Sequence, residues 1–229
     1  MKKNILLIAI CIVAISSCKK DTAIVPPVFL GYDYFPDNIG HELIYDVDSS
    51  YKDAFTGKDT SLHFQVKEII QDTLRDLEGR LTLRLERYKR QTTSANWVIY
   101  KVWTATKTDK NVEKDEENIT YVKLIFPPEI NDTWNGNSKN NLGEELYEYI
   151  SVNDPDVQNN MVFDSTLTVL QSDEDDFIIE KDYKIEKYAI GVGMYYKQTH
   201  IAKYKYPQPV NDPFESYTIY TETLISYSN

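Results

Sequence analysis

Three histidines, two cysteines and three tryptophans are the side chains of this 229-residue sequence from which chemistry would first be expected. His41, His63 and His200 stand far apart. None has a second His or a Cys close by, the pairing that zinc sites normally show. The G-x-S-x-G turn of α/β hydrolases is absent, so a Ser-His-Asp set would have to be assembled from distant residues. The run Asp173-Glu174-Asp175-Asp176 offers the oxygens calcium takes. Calcium loops, however, interleave acids with glycine and carbonyl donors, and a contiguous run reads as a solvated hairpin turn. Asp154-Pro155-Asp156 reads the same way. No catalytic residue, metal ligand or cofactor is predicted, and the chain is read as a non-enzyme.

Gly191-Val192-Gly193 lacks the third glycine of a nucleotide loop and runs into Met194-Tyr195-Tyr196, which is strand-like. A phosphate needs a helix N-terminus after the glycines. The pair is therefore read as a bulge or sharp twist in a curved sheet. Trp97 and Trp103 are six residues apart and share a face of a regular strand; with Trp134, in an Asn/Gly-rich loop and the more exposed of the three, they are the candidate ligand-binding residues. Tryptophans on alternating strands are more often core.

The elements that would position these residues are strands. Leu43, Tyr45 and Val47 alternate with Glu42, Ile44 and Asp46, and Leu81, Leu83 and Leu85 with Arg80, Thr82, Arg84 and Glu86, the period of a half-buried strand. Further strands are predicted over Trp97–Thr106, Thr120–Phe126 (stopped by Pro127-Pro128), Phe163–Val169, Phe177–Ile185, Ala189–Tyr206 as two, and Tyr217–Tyr227. Turn chemistry lies between them at Asp37–Gly40, Leu77–Gly79, Asn135–Asn137 and Asn211–Pro213. The polar stretches Lys107–Asn118 and Val152–Asn160 read as loops, and Ile69–Leu77 and Gly143–Ile150 as short helices. Hairpin spacing favours an antiparallel meander.

At the amino terminus, Lys2-Lys3 precede the uncharged apolar run Ile5–Ile15, the layout of a secretory signal. The run is shorter than the roughly 20 residues a spanning helix needs. Ile15-Ser16-Ser17-Cys18 resembles the bacterial lipobox. That resemblance implies cleavage before Cys18 and lipidation of its sulfur and new amino group, and two or more acyl chains anchor stably. Residues 1–17 are read as signal, 18–27 as a lipidated tether ending in Pro26-Pro27, and 28–229 as one β-rich domain. Cys11 leaves with the signal and Cys18 is alkylated, so neither thiol catalysis nor a disulfide is available.

The signal holds two of the 25 basic side chains and none of the 36 acidic ones, so the remainder carries 23 against 36, a formal charge of −13. Such a surface repels nucleic acid and anionic headgroups. The lipid on Cys18, not charge, would hold the chain to a membrane.

Tyr34-Phe35-Pro36-Asp37-Asn38-Ile39-Gly40 with the following Leu43–Asp48, and Tyr188-Ala189-Ile190-Gly191-Val192-Gly193-Met194, together resemble the opening and closing motifs of a family of Bacteroidota lipoproteins. The resemblance implies a curved antiparallel sheet or half-barrel, a place in the cell envelope, expected at the outer membrane, and no particular activity. In the same phylum Asp-Ser/Thr followed by a small or aliphatic residue is an O-glycosylation acceptor. Asp21-Thr22-Ala23, Asp72-Thr73-Leu74 and Asp164-Ser165-Thr166 resemble it, with Thr22 in the exposed tether the best placed.

The expected fold is mainly β, a single antiparallel twisted sheet or half-open barrel with few short helices. The expected role is a lipid-anchored exported protein that binds a lipid, glycan or protein partner through the concave face of the sheet. The alternatives are a surface glycan-binding module and a hydrolase with a site dispersed in sequence. A deep apolar cavity would speak for lipid, an aromatic platform for glycan, and converging His, Asp and Ser for an enzyme. Oligomeric state is not legible.

Overall fold

The computed structural model describes residues 29–176 and 178–228. The signal, the tether, Cys18 and Thr22 lie outside the described residues. Twelve strands follow one another: β1 (Glu42–Lys52), β2 (Asp59–Arg75), β3 (Leu81–Arg90), β4 (Val98–Lys107), β5 (Asn111–Glu116), β6 (Ile119–Ile125), β7 (Thr133–Asn135), β8 (Leu146–Gln158), β9 (Met161–Asp176), β10 (Glu180–Ala189), β11 (Gly193–Tyr204) and β12 (Phe214–Ser228). All neighbours are antiparallel, in the order β6-β5-β4-β3-β2-β1-β12-β11-β10-β9-β8-β7. The sheet curls until its ends, β6 and β7, nearly meet as a barrel. The mainly-β expectation holds. The half-open form holds for one end only.

The seam is specific. The Val122 N–H donates to the Gly136 carbonyl at 2.9 Å, and the Trp134 indole N–H donates to the Val122 carbonyl at 2.8 Å. The Tyr149 hydroxyl lies 2.7 Å from both the N–H and the C=O of Ile125. Gly136 is required here, because a Cβ at that position would lie 2.3 Å from the Tyr147 ring. Around the seam Val112, Val122, Leu124, Trp134, Tyr147, Tyr149, Leu167, Val169 and Tyr188 form one apolar cluster. Leu43, Tyr45, Val47, Phe64 and Val66 lead a second, and Ile70, Leu83, Leu85 and Ala105 a third. Each fully buried side chain of this size contributes about 1.5–3 kcal/mol.

Residues 31–41 plug one end. Tyr34 is fully buried, its hydroxyl 2.9 Å from Ser165 Oγ. Gly191 N–H donates to the Asp33 carbonyl at 2.8 Å, and His41 Nε2 lies 2.9 Å from the Val192 carbonyl oxygen. Lys107 Nζ reaches the Phe35 carbonyl at 2.8 Å. The two motifs that resembled a lipoprotein family thus meet in space and close the barrel together.

Several local expectations are corrected. Among the described residues there is no α-helix, only the 3₁₀ turn Tyr32–Tyr34. Ile69–Leu77 lies mostly in β2. A register shift between Ile70 and Asp72 breaks the period of two and puts apolar residues at helix-like spacing. Gly143–Ile150 is loop and then β8, which continues through most of the supposed loop Val152–Asn160. Lys107–Asn118 contains β5, whose Val112 and Lys114 are buried. The acidic run Asp173–Asp176 ends β9 instead of forming a turn. Gly191 lies in the β10–β11 turn and Gly193 opens β11, at φ 71° and 91°, a conformation glycine adopts at little cost, and the expected bulge is the register shift between Lys187 and Tyr188.

Candidate functional site

Cross-strand partners share a face of the sheet, so register and burial identify the side chains that point into the barrel. Val47 is followed around the wall by Glu222, Lys197, Glu186 and Val169, and Leu43 by Glu68, Arg87 and Lys101. The interior is therefore charged as well as apolar. Lys123 of β6 donates to Glu186 of β10 at 2.8 Å and lies 3.3 Å from Glu116. Lys197 lies 3.0 Å from Glu186 and 3.6 Å from Glu116. Arg87 of β3 pairs with Glu222 of β12 and, at 3.5 Å, with Glu68. Lys114 reaches Glu68 at 3.1 Å. Lys123–Glu186, Lys197–Glu116, Arg87–Glu222 and Lys114–Glu68 join strands that are not neighbours in the sheet, so these pairs meet only across the interior.

Four carboxylates thus face four cations, with no net charge. Burial alone would push Glu186 and Glu116 upward, but Lys123 and Lys197 overcome it and hold both well below the ordinary carboxylate value. Burial against Arg87 and Lys197 gives the same direction for Glu222. Burial lowers Arg87 and Lys197, but the surrounding acids reverse the effect and raise them. Tyr188 donates to Glu186 at 2.6 Å and Tyr220 to Glu222 at 2.5 Å, and both phenols are pushed up, first by burial and then by those glutamates.

The space left over is small. A cavity of about 30 Å³ lies between the plug and the network, lined by Phe35, Pro36, His41, Glu68, Lys114 and Glu186 among others. That is room for a water or two, far below the roughly 300–1,000 Å³ of a ligand pocket. That space is too small for the acyl chain of a lipid.

The other end of the barrel is open. β4 pairs with β5 only over Thr104–Lys107, and β9 pairs with β8 no further than Leu170. Val98–Trp103 and Gln171–Asp176 are free edges among the described residues. Beyond the ionic layer the inward side chains Tyr51, Leu62, Val98 and Ile201 are 42 %, 47 %, 64 % and 42 % exposed. Ser49, Thr199, Thr218 and Tyr220 lie among them by register. This concave apolar and hydroxyl-bearing surface is the candidate site.

The three tryptophans do not share one surface. The register of β3 against β4 shifts between Arg87 and Tyr88, leaving Tyr100 as an extra residue, so the face reverses between Trp97 and Trp103. Trp97 lies outside, under the Arg90 guanidinium at 4.2 Å. Trp103 lies inside, against Arg87 at 4.1 Å. Trp134 is 9 % exposed and part of the seam, not the exposed loop residue its Asn/Gly setting suggested.

The histidines stay apart. His41 belongs to the plug. His200 is half-buried on the outside, 5.9 Å from the Phe214 ring, and burial lowers its pKa first, then Lys181. His63 pairs with Asp48 at 2.9 Å on the exposed outer face. Ser50 and Ser61 are one step along that face, but their hydroxyls bond to each other at 2.9 Å. The order needed for an activated serine, with the nucleophile bonded to the base, is not present there. Among the described residues no three His, Cys, Asp or Glu side chains are grouped around a metal position. Of the glycan-acceptor motifs, Ser165 is engaged with Tyr34 and Asn153.

Fold and site define a single-sheet β-barrel with an ionic core, plugged at one end and open at the other. No protein-family model matches the sequence, and no curated protein does. Among solved structures it is similar to a provisionally named exported protein with a YmcC-like fold from Bacteroides fragilis, at 14 % identity and TM-score 0.43, covering 85 % of this chain and 98 % of that one. It is also similar to a provisionally named lipoprotein from Parabacteroides distasonis, at 12 % identity and TM-score 0.40 with the same coverage.

Proposed function

We propose that this chain is an exported lipoprotein, held at the outer membrane by Cys18, that binds a partner or ligand without chemistry on the concave face of the open end. The observation that carries the reading is the contrast between the two halves of the interior. One half is filled by ion pairs and plugged, while the other exposes Tyr51, Leu62, Val98 and Ile201. Side chains that are apolar and unpaired on a concave wall are where association removes the most surface from water. Support for the anchor comes from the order Lys2-Lys3, Ile5–Ile15, Ser16-Ser17-Cys18.

Both parts can be tested. Cys18→Ala should move the protein from the membrane to the soluble fraction with a mass loss equal to the lipid; unchanged partitioning contradicts the anchor. Mild release of the native protein followed by mass spectrometry should find one defined companion in constant proportion. A companion lost on Leu62→Asp supports the concave face, and its retention there contradicts it.

A further inference from the structure

We infer that the two free edges of the open end pair with those of a second copy, giving a two-fold dimer in which the β4 edge of each protomer adds to the β9 edge of the other. The inference stands apart from what the concave face binds.

The two edges are complementary in four respects. They lie at the same end of the barrel, since β4 begins there and β9 ends there. Each leaves six residues unpaired, Val98–Trp103 and Gln171–Asp176, and a row of unpaired main-chain groups is a template for another strand. Their directions are opposite. A two-fold axis parallel to the barrel axis therefore brings each β4 antiparallel to the partner's β9, satisfies both junctions at once and closes the assembly. Residues 29–41 of both copies then lie at the same end, as two chains tethered to one bilayer require.

Charge completes the match. Around the β4 edge, residues 84–101 hold Arg84, Arg87, Lys89, Arg90 and Lys101 against Glu86 alone, in a chain with more acids than bases; within one copy Arg84 pairs with Glu86, Arg87 with Glu222 and Lys101 with Glu117 at 2.7 Å. Among the described residues neither Lys89 nor Arg90 has a carboxylate partner. Arg90 donates Nε to the Gln65 amide oxygen at 2.7 Å, and Lys89 lies 3.5 Å from the Phe64 ring centre. The β9 edge carries Asp173 and Glu174, which have no cation partner among the described residues. Side chains paired across a junction must share a face. Lys101 points inward with Arg87, and Glu174 shares a face with Asp182 and Ile201, which point inward. The register that respects this sets Lys101 opposite Glu174, and Val102 opposite Asp173.

The test uses the full lipidated chain in detergent micelles or nanodiscs. Its mass by light scattering should be that of two copies, and raised salt should favour the monomer. Directly opposed Cα atoms in an antiparallel pair are about 4.5–5.5 Å apart, within the span of a disulfide. Mixing the Val102→Cys and Asp173→Cys proteins should therefore yield a mixed disulfide. Glu174→Lys, at a carboxylate with no cation partner of its own among the described residues, should weaken the dimer by at least about tenfold, and Glu174→Lys with Lys101→Glu should restore it. A chain monomeric at every concentration, a Val102→Cys protein that crosslinks only to itself, or a charge exchange that fails to restore the dimer overturns the inference.

Discussion

Lys123 and Glu186 stand on strands eight places apart in the order of the sheet, and their side chains meet at 2.8 Å. Lys123 is 4 % exposed and Glu186 is fully buried. Such a pair offsets its own desolvation only while both charges are present, and removing one partner typically costs 3–5 kcal/mol. Lys123→Met should lower unfolding free energy by about that amount. Lys123→Met with Glu186→Leu should recover most of the loss, because no uncompensated carboxylate remains. Denaturant titration of the three proteins checks this. Equal losses in the single and double variants would show that the pair does not act as a unit.

The same network sets the acid limit. Glu116, Glu186 and Glu222 are held below their ordinary value of 4.5, Glu116 at about 2. A carboxylate with a lowered folded-state value contributes stability that is present above the unfolded value and is lost as pH falls toward the folded one. Stability should therefore change little between pH 8 and about 5 and fall from about 4.5 downward. Denaturant midpoints across that range measure it. A fall already complete at pH 5 would contradict the assignment.

The seam depends on a missing side chain. Gly136→Ala would place a methyl 2.3 Å from the Tyr147 ring, whose neighbour Trp134 is packed against it at 5.9 Å. The expected result is a loss of about 1–3 kcal/mol and faster hydrogen exchange at Val122, whose N–H is bonded to Gly136. Unchanged exchange at Val122 would mean that the edges are not joined there.

The plug holds by hydrogen bonds as well as packing. Tyr34→Phe keeps the ring and removes the hydroxyl that meets Ser165 Oγ at 2.9 Å and the Thr166 carbonyl at 3.2 Å. The cost should be about 1–3 kcal/mol, the penalty of leaving buried partners unmatched. Exchange should quicken at Gly191, which donates to Asp33. A protein as stable as the parent would contradict that role.

The strands were legible wherever inward positions are apolar. Leu43, Tyr45 and Val47, and Leu83 and Leu85, are buried as their alternation predicts. The pattern fails where inward positions are charged. Arg87, Lys197 and Glu222 continue the inward period, but a buried ion pair and a solvated charge look alike in sequence, and their partners are far away along the chain. Bulges hide phase in the same way: one extra residue at Tyr100 put Trp97 and Trp103 on opposite faces. Trp134 looked exposed because its neighbours are turn residues, yet those turns bring it onto the seam. The open concave face has no sequence signal of its own, since it follows from where β5 and β8 stop.

The central claim is that association takes place on the open concave face and not in the ionic lumen. The direct measurement is the yield of the native companion recovered from membranes with three chains: the parent, Leu62→Asp with Ile201→Asp, and Lys123→Met with Glu186→Leu. Recovery should fall at least about tenfold, or roughly 1.4 kcal/mol, for the first variant and stay near the parent's for the second. Recovery lost only when the lumen pair is replaced would contradict it.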